Sequence, residues 1–255
     1  TFGQDLIWHV RNKEEAEEAL QVLLSNDDEW RRRSLMGIRA VLNQHTYRHR
    51  FNQICEAIGV QRPAQDPFSE VLVISEVENE EELSSVVAGF RRQELASDTK
   101  AKLLVLGRGG ISNVDMEGAG DYIETVLPAH EVVNMAGKTE RLGMLGVMSP
   151  QALYGRHYLQ DMLNAARYSR AAVCGKGCGE DAVEYRRGVA LDPGSLVLNI
   201  GMMDSEDVRR VLVGPREISG AGAIGTYASD SANFLRLEAL SSHEERAQLL
   251  KRVEI

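Results

Sequence analysis

The chain has 255 residues, of which 43% are apolar and 26% charged, with a formal net charge of -9. This length accommodates about two compact units of roughly 100 to 150 residues. The acidic excess works against binding nucleic acid through a basic face, and no apolar run reaches the roughly 18 to 20 residues of a membrane-spanning helix. The three cysteines, without a secretory signal pattern, do not indicate a disulfide framework. We therefore expect a cytoplasmic protein with no membrane span and no nucleic-acid partner.

The N-terminal segment, residues 1–59, is predicted to be helical. Asn12 and Glu15 have the spacing of a capping box, and apolar residues follow at helical intervals, which predicts a helix over residues 12–25. A second helix begins at the next acidic pair, and Thr46 caps a third. The apolar residues of the third helix are expected to point inward: Tyr47, Phe51, Ile54 and Ile58.

The apolar period changes after residues 60–69, a polar stretch with two prolines that is typical of a linker. A short strand at Glu70–Ser75, a helix over Asn79–Gln93 and a second strand at Ala101–Gly107 form a parallel βαβ pattern. Further elements extend it: apolar runs at Met144–Met148, Ala171–Gly175 and Ser195–Ile200, with a helix at Gly155–Tyr168. Residues 70–255 are thus predicted to form an α/β domain with one mostly parallel sheet flanked by helices.

Three stretches of this domain carry a family resemblance: residues 70–107, residues 154–176 with YGRHYLQD and YSRAAVCGK, and residues 227–236 (YASDSANFLR). They resemble family 2, GT-A-type glycosyltransferases, in which a segment like 154–176 directly follows an acidic metal-binding run. Separately, residues 1–60, above all HTYRHR at 45–50, resemble the C-terminal tail of a GT-B glycosyltransferase domain of the spore-maturation type.

The resemblance implies transfer of a sugar from a nucleotide-sugar donor to a hydroxyl of a carbohydrate or polymer acceptor, in the synthesis of cell-surface polysaccharide or glycoconjugates. It also implies that the chain is the C-terminal part of a longer enzyme with a GT-B domain upstream. In an inverting reaction, a carboxylate base removes the acceptor proton while cationic groups stabilise the departing diphosphate.

The acidic landmarks of the family are absent. The positions before Tyr154, where these enzymes have consecutive aspartates, are Ser149–Ala152 (SPQA), and none offers a carboxylate to a hard cation such as Mn²⁺ or Mg²⁺. The second strand ends in GRGG at 107–110, without the usual aspartate. We therefore expect no metal ligands there and donor binding that is largely independent of a divalent ion. The missing acidic run favours an alternative: a non-catalytic accessory module that binds carbohydrate or supports a partner catalytic domain.

Other groups are then needed to hold the donor. The candidates for donor binding are Arg108, Tyr154, Gly155, Arg156 and Lys176, since cationic side chains neutralise phosphates and the glycines around the lysine allow close backbone approach. The candidates for the catalytic base are Asp230, in the late matching segment, and Glu184. Ligands of doubly wound sheets bind at the carboxyl ends of the strands, so these residues are expected to converge there.

Three further constellations are open to two interpretations. Asp115 and Glu117 form an acidic pair in a loop, which is more often solvated than metal-binding. The residue pairs His45/His49 and Cys174/Cys178 have no further ligands at suitable spacing, so they indicate structural roles more than a metal site. A stand-alone nucleotide-binding regulatory domain is a third reading of the whole chain, based on fold analogy alone.

Overall fold

The computed structural model of the chain describes residues 6–60, 66–107, 123–126, 143–178, 184–203, 206–208 and 225–237, together with residues 249 and 253. The chain divides into two compact units, Thr1–Ala64 and Gln65–Glu254. Among the helices of the described residues, none combines the length and the apolar character needed to cross a membrane.

The N-terminal unit contains the three expected helices, which are α1 (Lys13–Ser25), α2 (Asp27–Gln44) and α3 (Tyr47–Ala57). A side chain caps each of them, because the first N–H groups of a helix have no partner within it. The Asn12 side chain accepts from the Glu15 amide at 2.8 Å, the Asn26 side chain from the Glu29 amide at 3.1 Å, and Thr46 caps α3. The predicted capping residues of α1 and α3 are therefore confirmed.

The inward face predicted for α3 is wrong. Its apolar stripe is more than half exposed: Tyr47 95%, Phe51 53%, Ile54 56% and Ile58 65%. The buried residue of α3 is Cys55, and α2 buries Leu35 and Arg39. Helical spacing shows that the four apolar residues share one face. It does not show which face of the helix the neighbouring helices cover.

Within the described residues, the second unit contains ten strands, two long helices and short helical stretches such as residues 206–208. The strands are β1 (Glu70–Val77), β2 (Lys100–Gly107), β3 (Ile123–Val126), β4 (Met144–Val147), β5 (Ala152–Tyr154), β6 (Val173–Gly175), β7 (Arg186–Arg187), β8 (Val197–Asn199), β9 (Thr226–Ala228) and β10 (Phe234–Arg236). The long helices are α4 (Glu80–Arg91) and α5 (Tyr158–Ser169). The predicted strands and helices therefore exist, with bounds that differ by a few residues.

Eight of the strands form one sheet in the order β3-β2-β1-β4-β8-β6-β9-β7, while β5 and β10 form a separate antiparallel pair. The pairs β1–β2, β1–β4, β2–β3 and β6–β9 are parallel. The sheet is mostly parallel and flanked by helices, as predicted. Strand β8 runs antiparallel to both of its neighbours, β4 and β6, and the edge strand β7 runs antiparallel to β9.

The reversal of β8 follows from the path of the chain after β6. Gly177 and Leu191 form an antiparallel bridge, and the Asp192 amide donates to the Lys176 carbonyl at 2.8 Å. The chain thus returns to the edge of the sheet that it left, without the crossover that a parallel connection requires. The apolar run expected at Ser195–Ile200 therefore contributes a strand to the sheet, and that strand runs antiparallel to both of its neighbours.

Both faces of the sheet are buried at β1, as the continuous apolar run of this strand indicates. Val71 and Val73 belong to a core cluster with apolar residues of α4 and α5, whereas Leu72 and Ile74 belong to a second cluster that includes Val208. Alternate residues of the strand thus pack against different layers. Strand β1 is therefore buried between two layers and pairs in parallel with β2 on one side and β4 on the other.

The end of the predicted linker belongs to the sheet unit. Residues 66–69 form a 3-10 turn in which the Asp66 carboxylate accepts from the Phe68 amide at 3.1 Å. The same carboxylate pairs with Arg167 of α5 at 3.1 Å, and Asp66 is buried. These four residues are therefore anchored by polar contacts. Residues 61–65 lie outside the described residues.

Candidate functional site at the carboxyl edge of the sheet

Strands β1, β2, β4, β6 and β9 point the same way, so their carboxyl ends lie along one edge of the sheet. The 3-10 turn Pro193–Ser195, which precedes the antiparallel β8, lies at the same edge. Strand β5 follows β4 here and pairs with β10. We refer to six residues from these segments as the carboxyl-edge site: Ser149, Tyr154, Lys176, Asp192, Asp230 and Arg236.

Tyr154 connects two turns of the site. Its phenol oxygen accepts from the Ser149 amide at 2.6 Å and donates to the Gly194 carbonyl at 2.6 Å. The residue is buried, and burial raises the pKa of the phenol well above its usual range, so the donor proton is retained. Tyr154 therefore positions Ser149 and Gly194, and its hydroxyl proton is already engaged in the hydrogen bond to the Gly194 carbonyl.

Gly155 is required by the close approach of two backbones. A Cβ atom at this position would lie 2.2 Å from Oδ1 and 3.0 Å from Cα of Asn233. The Gly155 amide donates to the Asn233 carbonyl at 2.8 Å. The next residue, Arg156, is half-exposed and pairs with Glu94 at 3.5 Å. The glycine of the Tyr-Gly pair thus serves the contact with the β10 segment.

Lys176 and Asp230 form a buried ion pair. The Lys176 ammonium donates to the Asp230 carbonyl at 2.7 Å and lies 3.3 Å from Oδ1 of the same residue, while the Ala232 amide donates to that Oδ1 at 3.0 Å. The two side chains are only 2% and 8% exposed. Each charge therefore already has its counter-charge, and removing one would leave the other buried and uncompensated. This pairing favours structural roles for both residues and supports the accessory-module alternative.

Glu184 lies next to this pair. Its Oε1 accepts from the Ser231 amide at 2.9 Å and also from the Ser231 hydroxyl. Glu184 is partly exposed, whereas Asp230 is buried. The two carboxylates predicted as candidate bases thus come together at the end of β9. Glu184 is the more accessible of the two to an acceptor hydroxyl.

The remaining sequence candidates are distributed differently. Arg108, Asp115 and Glu117 lie outside the described residues. The His45 and His49 rings contact Arg50 and Thr46 of their own helical region. Within the described ranges, there is no group of three or more His, Cys, Asp or Glu side chains that could hold a metal ion.

Cys174 and Cys178 are not joined by a disulfide. Cys174 and Cys178 are free thiols, and Cys174 is buried while Cys178 is partly exposed. Burial raises the pKa of the Cys174 thiol to about 11, so it is protonated near neutral pH. A buried, protonated thiol is a weak nucleophile.

Sequence reasoning missed Asp192 and Arg236. The buried Asp192 carboxylate accepts from the Gly194 amide at 2.8 Å and from the Arg236 guanidinium at 2.9 Å. Arg236 lies opposite Ala152 in the β10–β5 pair. The sequence signals were an Asp-Pro turn and the arginine that closes the late matching segment. The contact between them depends on the β10–β5 pairing, which sequence order does not reveal.

The chain was compared with known protein families and with curated proteins. A family model described as glycosyl transferase-like matches residues 3–56, which lie in the N-terminal unit. The search of curated proteins returned no match.

Solved structures of TarS from S. aureus are similar to the chain. The crystal structure of TarS 1–349 has a TM-score of 0.43 and 9% identity, covering 71% of this chain and 69% of that chain. A crystal structure of TarS has a TM-score of 0.42 and 10% identity, covering 71% and 39%. TarS 1–349 in complex with UDP-GlcNAc has a TM-score of 0.43 and 9% identity, covering 69% and 60%. At this level of similarity, neither a donor nor a reaction follows for this chain.

Proposed function

We propose that this chain binds a nucleotide-sugar donor and takes part in the transfer of its sugar to a hydroxyl of a carbohydrate or polymer acceptor. The observation that carries the proposal is the meeting of distant sequence stretches at one sheet edge. The stretch that contains Tyr154 pairs with the stretch that contains Phe234, and Lys176 contacts Asp230. The same stretches carry the resemblance to GT-A-type glycosyltransferases, and the glycosyl transferase-like match of residues 3–56 supports the same class.

The chemistry of the site divides between its buried and accessible groups. Lys176 and Asp230 hold the ends of β6 and β9 together, which keeps the site rigid. Glu184 is the accessible carboxylate, and we assign to it the role of accepting the proton of the acceptor hydroxyl. The GT-A type of the sheet, a GT-B tail in the helical unit, an upstream GT-B domain and a role in cell-surface polymer synthesis remain parts of the proposal.

A non-catalytic module is the second candidate function. Two observations favour it: Asp230 is neutralised by Lys176, and residues 149–152 contain no carboxylate. Such a module would bind carbohydrate, or support a partner catalytic domain, without transferring the sugar itself. The two candidates therefore differ in turnover, and a turnover measurement separates them.

Calorimetry of the whole chain with a panel of nucleotide sugars tests the proposal, and UDP-GlcNAc, the ligand of one TarS structure, belongs in that panel. Release of the nucleoside diphosphate in the presence of carbohydrate acceptors measures turnover. Binding with turnover supports the transferase, and binding without turnover supports the accessory module. Failure of every nucleotide sugar to bind contradicts the proposal.

Two variants connect the result to the proposed base. Glu184→Gln is expected to keep donor binding and to lower turnover by a factor of about 10² to 10⁴, the usual contribution of a general base. Glu17→Gln is the matched control, because Glu17 is an exposed carboxylate of α1 that pairs only with the neighbouring Lys13 within the described residues. Equal turnover in the two variants would exclude Glu184 as the base.

A further inference from the structure

Arg236 lies beside the segment that lacks the acidic run of the resembling enzymes. Its Cα pairs with Ala152, and the following residue, Leu237, donates its amide to the Gln151 carbonyl at 2.9 Å. The guanidinium reaches Asp192, whose turn also approaches Ser149: a Cβ built on Gly194 would lie 3.0 Å from the Ser149 Cβ. The arginine and the Ser149 turn therefore meet at the same part of the carboxyl edge.

The residues of this segment do not fit a divalent metal ion. Mg²⁺ and Mn²⁺ prefer carboxylate oxygens, and Ser149–Ala152 contains none. The carboxylate that the fold brings here is Asp192, and its two oxygens are already engaged by the Gly194 amide and by Arg236. The cationic side chain of Arg236 thus lies beside the segment that holds a metal ion in the GT-A-type glycosyltransferases that the chain resembles.

Arg236 has unused capacity for an anion. Its NH1 nitrogen donates to Asp192, and within the described part of the chain its other guanidinium nitrogens donate to no protein group. Its side chain is 50% exposed, in contrast to the 2% of Lys176. A guanidinium presents five N–H donors in a planar fork, so one edge can bind a carboxylate while another binds phosphate oxygens.

We propose that Arg236, oriented by Asp192, is the group that binds the diphosphate of the nucleotide donor in this chain, in the place of a divalent metal ion. This inference rests on the proposed function and names the residue that supplies its positive charge. Asp192 fixes the direction of the fork, which lowers the entropy that Arg236 loses when it binds a phosphate. Lysine offers one point charge and cannot serve both partners in this planar geometry.

Calorimetry with nucleoside diphosphates in EDTA tests the inference. Each of UDP, GDP, CDP and ADP is titrated into the unaltered chain, with and without Mg²⁺, and the one that binds is compared with its nucleoside. We expect affinities within about twofold with and without the metal. Arg236→Ala should weaken diphosphate binding by about 10- to 100-fold, as for loss of a charge-assisted hydrogen bond, and leave nucleoside binding unchanged.

Matched variants make the result specific. Arg236→Lys keeps the charge and should lose part of the affinity for the diphosphate. Asp192→Asn should also lower this affinity, because the Arg236 guanidinium is then no longer held by a carboxylate. Arg91→Ala is the control, because Arg91 is an exposed arginine at the end of α4. Circular dichroism establishes whether each variant is folded. If Arg236→Ala does not fold, the comparison of diphosphate affinity is made with Arg236→Lys instead.

The outcomes separate this inference from the proposed function. If no nucleotide sugar and no nucleoside diphosphate binds the unaltered chain, both are overturned. If the unaltered chain binds a diphosphate and the Arg236 variants bind it equally well, this inference alone is overturned. A loss of affinity of a hundredfold in EDTA, restored by Mg²⁺, would likewise overturn it and leave the proposed function in place.

Discussion

Replacing Tyr154 by phenylalanine removes one buried oxygen that satisfies two backbone groups. The Ser149 amide and the Gly194 carbonyl each lose a hydrogen bond of 2.6 Å. An unsatisfied buried group costs about 1–3 kcal/mol, and since both residues are partly exposed, water compensates in part. We therefore expect a loss of about 2–3 kcal/mol in the free energy of unfolding, which lowers Tm by about 5–10 °C in a chain of this size.

Tyr158 provides a control of the same chemistry. It is fully buried, and its hydroxyl has no hydrogen-bond partner among the described residues. Tyr158→Phe removes a buried polar atom without breaking a hydrogen bond, so stability should be unchanged or slightly higher. The rings of Tyr154 and Tyr158 lie 4.7 Å apart, which places both variants in the same surroundings.

Urea unfolding measures both variants, and hydrogen exchange adds a local readout. Peptides that contain the Ser149 amide should exchange faster in Tyr154→Phe and at the original rate in Tyr158→Phe. Equal losses of stability in the two variants would show that ring packing, rather than the hydroxyl, connects the two turns. An unchanged exchange rate at Ser149 would refute the hydrogen bond itself.

Three other predictions concern glycine packing, pH and thiol reactivity. Gly155→Ala should lower the free energy of unfolding by about 1–3 kcal/mol in urea, because its Cβ would lie 2.2 Å from the facing asparagine oxygen, whereas Gly89→Ala, with 3.6 Å to its nearest neighbour, should not. Two arginines on α2 lower the pKa of Glu29 from 4.5 to about 2. The ionised Glu29 therefore stabilises the fold above pH 4.5, and this contribution is lost as the pH falls towards 2. In an acid titration, Glu29→Gln should lose helicity less steeply than the unaltered chain, and an equally steep loss would contradict this. Iodoacetamide at pH 8 should label Cys178 before Cys174, whose pKa burial raises to about 11, and mass spectrometry showing equal labelling would contradict this order.

Local signals in the sequence were sufficient for most elements. The capping oxygen of Asn12 and the apolar run at β1 depend on neighbours a few residues away, and the structure has both where they were expected. The choice of buried face on α3 was wrong, because it depends on where other helices lie. Local pattern therefore predicts that an element exists better than it predicts what the element contacts.

The candidate site shows the same division. Tyr154, Lys176 and Asp230 were expected at one sheet edge, and the structure brings their segments together. The ion pair between Lys176 and Asp230 was not foreseeable, because the two residues are 54 positions apart in the sequence. Arg236 was overlooked for a related reason: its importance arises from the β10–β5 pairing and from Asp192, and neither is adjacent to it in the chain.

The position of β9 between β6 and β7 has a consequence for synthesis of the protein. Residues 226–228 fill a place inside the sheet and residues 234–236 complete β5, so neither sheet is complete until this late segment has left the ribosome. Translation adds about 5–20 residues per second. Until the late segment has been synthesised, the nascent chain has unpaired strand edges, which are sites of aggregation. A product that stops before residue 226 would keep those edges open permanently. Such a product should be recognised by chaperones or proteases rather than persist as a smaller folded domain.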